Sequence, residues 1–150
     1  MQLTTSTVLA TAVLSAGFAL AAPVSMAADV AEWTIESLSR TCDDADTTCL
    51  WTFAIDTAEE GVAVTPANYT VNATDSAPAS QAIGGPQLFG NFTVTSTWSG
   101  QFGEGQGFTT LSVIDYARNL IVYPAYKDTQ LPNGQVVTPD QSYPVQNIPS

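Results

Sequence analysis

The chain has 150 residues, three basic against fourteen acidic side chains, no histidine, and a formal charge of −11. Arg40, Arg118 and Lys127 are too few to neutralise a run of phosphates, which argues against nucleic acid as a partner and against an anionic membrane surface. Without histidine the usual general base and the commonest zinc ligand are missing, so carboxylates alone remain to titrate near neutral or acidic pH. No cofactor and no metal is expected.

Residues 8 to 22, VLATAVLSAGFALAA, are apolar and rich in small side chains, and fall short of the roughly 20 residues a membrane-spanning helix needs. They read as the hydrophobic region of a secretory signal peptide, although the segment before them, MQLTTST, lacks the usual Lys or Arg. Small-x-small patterns stand at Ala19-Leu20-Ala21 and Ser25-Met26-Ala27, and Pro23 favours the second as the cleavage site. The expected organisation is a signal peptide over 1–27 and a single secreted, extracellular β domain over 28–150 with an extended C-terminal tail. Cleavage leaves 150 − 27 = 123 residues, enough for one core, in a chain expected to be monomeric.

Secretion places Cys42 and Cys49 in an oxidising compartment. They enclose the polar hexapeptide DDADTT and are flanked by EWTIESLSR and LWTFAIDT. In the second flank Trp51, Phe53 and Ile55 share one face and Thr52, Ala54 and Asp56 the other, the alternation of a half-buried strand. The pair therefore reads as a disulfide across the base of a hairpin, worth about 2–3 kcal/mol by loop closure. Asp43, Asp44 and Asp46 could instead suggest a calcium loop, but their spacing is irregular and the glycine and terminal glutamate of an EF-hand are missing. A solvated turn is the better reading.

Strand signals continue along the chain. Tyr69 and Val71 alternate with Thr70 and Asn72; Phe92, Val94 and Trp98 alternate with Thr93, Thr95 and Thr97; Leu111 and Val113 come next, then the apolar run LIVYP at 120–124. DYARN at 115–119 reads as a hairpin turn, SAPASQAIGGPQ at 76–87 as a loop, and Asn133-Gly134 as the tip of a tight hairpin. No helical periodicity occurs after residue 30. The fold class is all-β: a small antiparallel barrel or sandwich with one disulfide-pinned hairpin.

The stretch SGQFGEGQG at 99–107 carries four glycines between two strand signals. The next residues, FTTLSVID, are β-branched and apolar rather than helical, and Glu104 would repel a phosphate. The glycines therefore belong to a strand-to-strand connection needing positive φ or close backbone approach. Gln101, Phe102, Glu104 and Gln106 at its tip form a candidate recognition loop. Phe102 could alternatively anchor the loop to the core.

RTCDDADTTCLWTFAID, WSGQFGEGQGFTTLSVID, LIVYPAYKD and PDQSY resemble the small secreted fungal proteins known as hypersensitive-response-inducing elicitors, over about Trp33 to Tyr143. More distantly, the chain is similar to the β-barrel of the major Alternaria allergen. The resemblance implies a secreted fungal elicitor or effector-like protein that triggers plant cell death or defence by contacting a plant extracellular or cell-surface component, with no enzymatic activity. It also implies a second cysteine pair, which is replaced here near Ala67 and Phe89, so packing has to substitute for that link.

Three sequons begin at Asn68, Asn72 and Asn91, and strand parity puts their side chains on the solvent face, where N-glycosylation would make a glycoprotein. An enzymatic alternative, a glycoside hydrolase, needs two carboxylates roughly 5–10 Å apart. Glu104 with Asp115, or Glu36 with Asp56, could be nominated, with Trp98 or Trp51 as a sugar platform, yet no spacing distinguishes them from solvated surface. The three tryptophans, Trp33, Trp51 and Trp98, stand at core-facing strand positions. A non-catalytic recognition protein is the preferred reading, followed by a carbohydrate-binding wall protein. The intact mass of the secreted product is expected to correspond to a chain starting at or near Ala28 with one disulfide; retention of residues 1–20, or two free thiols in the native protein, would contradict this.

Overall fold

The computed structural model describes residues 31–149; the expected signal peptide lies outside the described residues. The chain forms β1 (Glu32–Cys42), β2 (Thr48–Asp56), β3 (Thr65–Asn72), β4 (Gly84–Phe89), β5 (Phe92–Ser99), β6 (Phe108–Asp115), β7 (Leu120–Val122), β8 (Ala125–Lys127), β9 (Gln141–Pro144) and β10 (Gln146–Asn147). Two single-turn 3-10 helices, Ala79–Gln81 and Asp128–Gln130, interrupt them. Among the described residues no helix is long and apolar enough to cross a membrane.

The strands build two antiparallel sheets, ordered β3-β2-β1-β9 and β10-β7-β6-β5-β4, with β8 alongside β6. The sheets do not close on each other, so of barrel and sandwich the molecule is the sandwich. Their inner faces share one core. Trp33, Ile35, Trp51, Phe53, Ile55, Tyr69 and Val71 come from the first sheet, and Phe92, Val94, Leu111, Val113, Val122 and Tyr126 from the second. The period-2 alternation read from β2 and β3 is the burial pattern observed. Trp33 meets Phe92 edge-on at 5.2 Å, and the buried Tyr69 hydroxyl shares a hydrogen bond with Ser96 Oγ at 2.8 Å, linking the two sheets through the core.

β1 breaks its own alternation. Trp33 and Ile35 point inward, Ser37 takes φ 51 where the register with β2 slips, and Leu38 and Arg40 then turn inward instead. A bulge shifts strand parity by one, and here the shift carries an arginine into the interior. On the far side of β1, β9 pairs with Glu32–Ile35. Beyond that the edge is covered by an irregular segment: Val137 N donates to Leu38 O, Gly134 N to Arg40 O, and Cys42 N to Asn133 Oδ1.

That segment corrects the expectation of a hairpin at Asn133-Gly134. A turn is there, with Gln135 N donating to Pro132 O, but its flanks satisfy β1 rather than each other. A second correction falls at 76–87, expected to be loop throughout: Gly84–Phe89 is strand β4, recruited by β5 through a tight hairpin at Gly90-Asn91. The Gln87 side chain both accepts from Thr70 N and donates to Thr70 O, so an amide replaces the missing backbone partner at the outer edge of β3. DYARN does turn β6 into β7. Of the two positions where the resemblance implied cysteine, Phe89 packs against the core and Ala67 is buried within it.

Cys42 and Cys49 form the disulfide across the β1–β2 hairpin and face each other in register. Asp43 organises the turn between them. Its carboxylate accepts from Thr47 N at 2.7 Å, Thr48 N at 3.0 Å and the Thr47 hydroxyl. The hydroxyl first, and then the N–H groups, hold the Asp43 carboxyl below the ordinary aspartate range. A carboxylate depressed in the folded state stabilises fully above its unfolded pKa of about 3.9 and stops doing so as pH falls through the lower folded value. Asp43→Asn should therefore melt below wild type at pH 7, with the gap closing as acid brings the pH below about 4. A gap that persists unchanged at pH 2 in thermal melts would refute the assignment.

Candidate functional site

The glycine-rich connection, residues 100–107, joins β5 to β6 as two successive turns in which Gly103 N donates to Gly100 O and Gln106 N to Gly103 O. Its two ends close on the Trp98 indole. A Cβ on Gly107 would lie 2.7 Å from Trp98 Cζ2, and one on Gly100 would strike the neighbouring Cη2 of the same ring. Gly103 and Gly105 have open space around them and instead take φ +103 and +75. Both uses expected of glycine are present, close approach at the ends and positive φ at the tip.

Asp128 holds this arrangement from the other side. Its Oδ2 accepts from Trp98 Nε1 at 2.9 Å, its Oδ1 lies 3.5 Å from Arg40 Nη1, and its backbone N donates to Gly107 O at 2.9 Å. Arg40, buried by the β1 bulge, stacks over Trp51 at 5.4 Å. One residue thus joins the two sheets through its carboxylate and the loop through its backbone N–H. Trp98 is half-buried beneath the loop and Trp51 is buried in the core, so neither offers an open sugar platform.

Gln101, Phe102, Glu104 and Gln106 are all exposed. Phe102 does not enter the core: it is 68% exposed and stacks on Phe108 at 5.8 Å and 27°. Phe102 and Gln106 line an open hollow of about 440 Å³ together with Phe108, Ala125, Tyr126, Lys127 and Gln130. Gln101 and Glu104 stand outside it. The β8 contribution had no signal in the sequence beyond the LIVYP-AYKD run, because it depends on β8 pairing with β6 across a break in the strand. That break is made by Pro124, whose carbonyl still accepts from Leu111 N at 2.7 Å.

The hollow continues onto the outer face of the second sheet. Thr95, Thr97 and Ser99 on β5 stand opposite Ser112, Thr110 and Phe108 on β6, and with Tyr123 they line a shallow trough of about 380 Å³. No aspartate or glutamate occupies these outward positions. The acids lie elsewhere, largely on the first sheet and its loops. The two arginines are paired, Arg40 with Asp128 and Arg118 with Glu59 and the buried Asp115, whereas Lys127 makes no ion pair among the described residues.

Of the two carboxylate pairs nominated for hydrolysis, the structure separates one and brings the other together. Glu104 lies in the loop that precedes β6 and Asp115 ends that strand, which is about 24 Å long, and Asp115 is buried in its bond to Arg118 at 2.7 Å. Glu36 and Asp56 are neighbours on the outside of the first sheet. There partial desolvation, and then the charges of Asp56 and Asp140, push the Glu36 carboxyl upward. Asp43 and Asp46 are engaged within the hairpin and its neighbours: Asp46 accepts from Ser80 N at 2.8 Å. It clusters with Cys42 and Cys49, whose sulfurs are joined to each other and so are not free as thiolate ligands. Asn68, Asn72 and Asn91 are exposed, the last in the β4–β5 turn.

These features define a small acidic β-sandwich that presents a seated loop beside a carboxylate-free sheet face. A family model described as Effector TSP1 matches residues 34–148. A curated protein of Hypocrea virens (strain Gv29-8 / FGSC 10586), named Effector TSP1, is 47% identical over 151 residues, covering 99% of this chain and all of the relative. The chain belongs to the Effector TSP1 family and is a fungal effector protein, the coarser part of what the elicitor resemblance implied.

The packing around Trp98 predicts unequal costs for adding one methyl group. Gly107→Ala should destabilise by about 1–3 kcal/mol through overpacking and shift the Trp98 fluorescence. Gly105→Ala should cost about 1–2 kcal/mol through its left-handed backbone and leave the emission unchanged. Equal spectral effects in the two variants would show that the loop ends are not seated on the indole.

Proposed function

We propose that this effector is secreted and acts outside the fungal cell, provoking plant cell death or defence signalling by binding a host extracellular component without catalysis. The observation that carries the reading is the seated loop: four exposed side chains, Gln101, Phe102, Glu104 and Gln106, on a connection whose ends are fixed by Trp98 and Asp128. Binding residues concentrate on loops positioned by a rigid scaffold. Family membership supports the effector role, and the hollow and trough beside the loop are lined by no carboxylate, which favours binding over hydrolysis there.

Infiltrated between leaf cells, the folded domain is expected to cause localised cell death or defence signalling, and to release no reducing sugar from wall polysaccharides. Glu104→Ala with Gln106→Ala should change stability by no more than about 0.5 kcal/mol, as exposed substitutions usually do, and should weaken the leaf response. A stable double variant with full response removes those side chains from the recognition surface. A folded wild-type domain inert on leaves of several host species defeats the elicitor reading.

A further inference from the structure

We propose that the outer face of the second sheet binds an uncharged, extended β-linked glucan chain, with Phe102, Phe108 and Tyr123 as ring platforms and the paired hydroxyls of β5 and β6 as polar partners. This deepens the binding reading above by naming a partner class, and it rests on that reading only for its link to the leaf response.

The face combines three properties. First, its polar groups are hydroxyls in register, Thr95 opposite Ser112 and Thr97 opposite Thr110, and the Thr95 and Ser112 hydroxyls already bond to each other. A hydroxyl both donates and accepts, which matches the hydroxyls of a sugar in either orientation. Second, the aromatic side chains flank that ladder. Phe102 is 68% and Tyr123 44% exposed, and Phe108 lines both the trough and the adjoining hollow, so the two depressions of about 380 and 440 Å³ share a wall. A flat ring gives the apolar C–H face of a pyranose a surface to cover, while the sugar's hydroxyls remain free to bond at the rim. Third, the face lacks carboxylates, although the chain carries −11.

The dimensions suit a chain rather than a single sugar. From Thr93 to Ser99 the outward positions run about 20 Å at the strand rise of roughly 3.4 Å per residue. The charge of the rest of the molecule selects among polymers: a polyuronate would approach a strongly negative protein, and Lys127, the one basic side chain without an ion pair among the described residues, is too little to offset that repulsion. A neutral glucan meets no such repulsion. A protein partner would more typically be met by an apolar patch core than by a row of threonines and serines.

The test uses the intact folded protein with a β-1,4-linked glucose hexamer as neutral probe and polygalacturonate as the acidic one, by calorimetry and affinity electrophoresis. The hexamer is expected to bind with an affinity that hardly changes between low and high salt, and polygalacturonate is expected not to bind. Phe102→Ala with Tyr123→Ala should weaken hexamer binding at least tenfold at unchanged melting temperature. Thr97→Glu, which places a charge in the trough without removing a ring, should also weaken it.

No binding of the hexamer at millimolar concentration, equal binding of polygalacturonate, or full binding by the folded Phe102/Tyr123 double variant would each overturn the proposal. Leaf assays on the same preparations separate the two readings. Absent glucan binding with an intact leaf response removes the glucan, and glucan binding with inert leaves removes the elicitor role.

Discussion

The Asp128 carboxylate is the point at which the two sheets and the loop are made mutually dependent. One oxygen faces Arg40 of β1, the other takes the Trp98 indole N–H of β5, and the residue's own N–H donates to the Gly107 carbonyl. Each partner has another reason to be there: Arg40 because the β1 bulge turns it inward over Trp51, Trp98 because β5 alternation aims it at the interior, Gly107 because only a hydrogen fits against the indole. An ion pair at 3.5 Å between a buried guanidinium and a partly covered carboxylate contributes little on its own, because desolvation offsets the attraction. Its value here lies in position, since a charge-assisted hydrogen bond to the indole stiffens the base of a loop whose tip is exposed.

Charge is partitioned rather than spread. Carboxylates gather on the first sheet, its hairpin and its loops, where they repel one another in water and, as at Asp43 and Asp46, also build turns. The opposite outer face is left to hydroxyls, aromatics and one ammonium group. Such a division keeps the protein soluble through one side and leaves the other side chemically quiet. Arg118 serves the same division: it neutralises the buried Asp115 and lies 5.9 Å over Trp33.

How much of the molecule is legible in the chain depends on the reach of each physical signal. Period-2 alternation is local, so β2, β3, β5 and β6 and their inward aromatics were legible, as were the hairpin cysteines and the glycine loop between strands. Trp98 kept its inward parity but is only half-buried, because the cover over it is the loop itself. Features set by distant partners were not legible. The bulge at Ser37 answers to Asp140, whose carboxylate accepts its N–H at 2.8 Å from 103 residues away along the chain. Gly84–Phe89 looked like loop because Gly and Pro dominate its start, and only pairing with β5 makes it a strand. Asn133-Gly134 carried the chemistry of a hairpin tip, but the unpaired edge of β1 claimed its backbone first. The half of the site built from β8 depended on the same long-range pairing.

The last strands carry a consequence for how the molecule comes into being. β9 closes the first sheet beside β1, and three residues on from Tyr143, after a single intervening residue at Val145, β10 joins the second sheet beside β7. Tyr143 also packs edge-on against Tyr126 at 6.2 Å, so this short ribbon straps one layer to the other. Contacts that close only after more than a hundred residues have emerged are slow to form and cannot assist the earlier strands. A chain threaded through a membrane pore from its N-terminus would therefore pass unlocked, with its sandwich latched only once the final ribbon had cleared the far side.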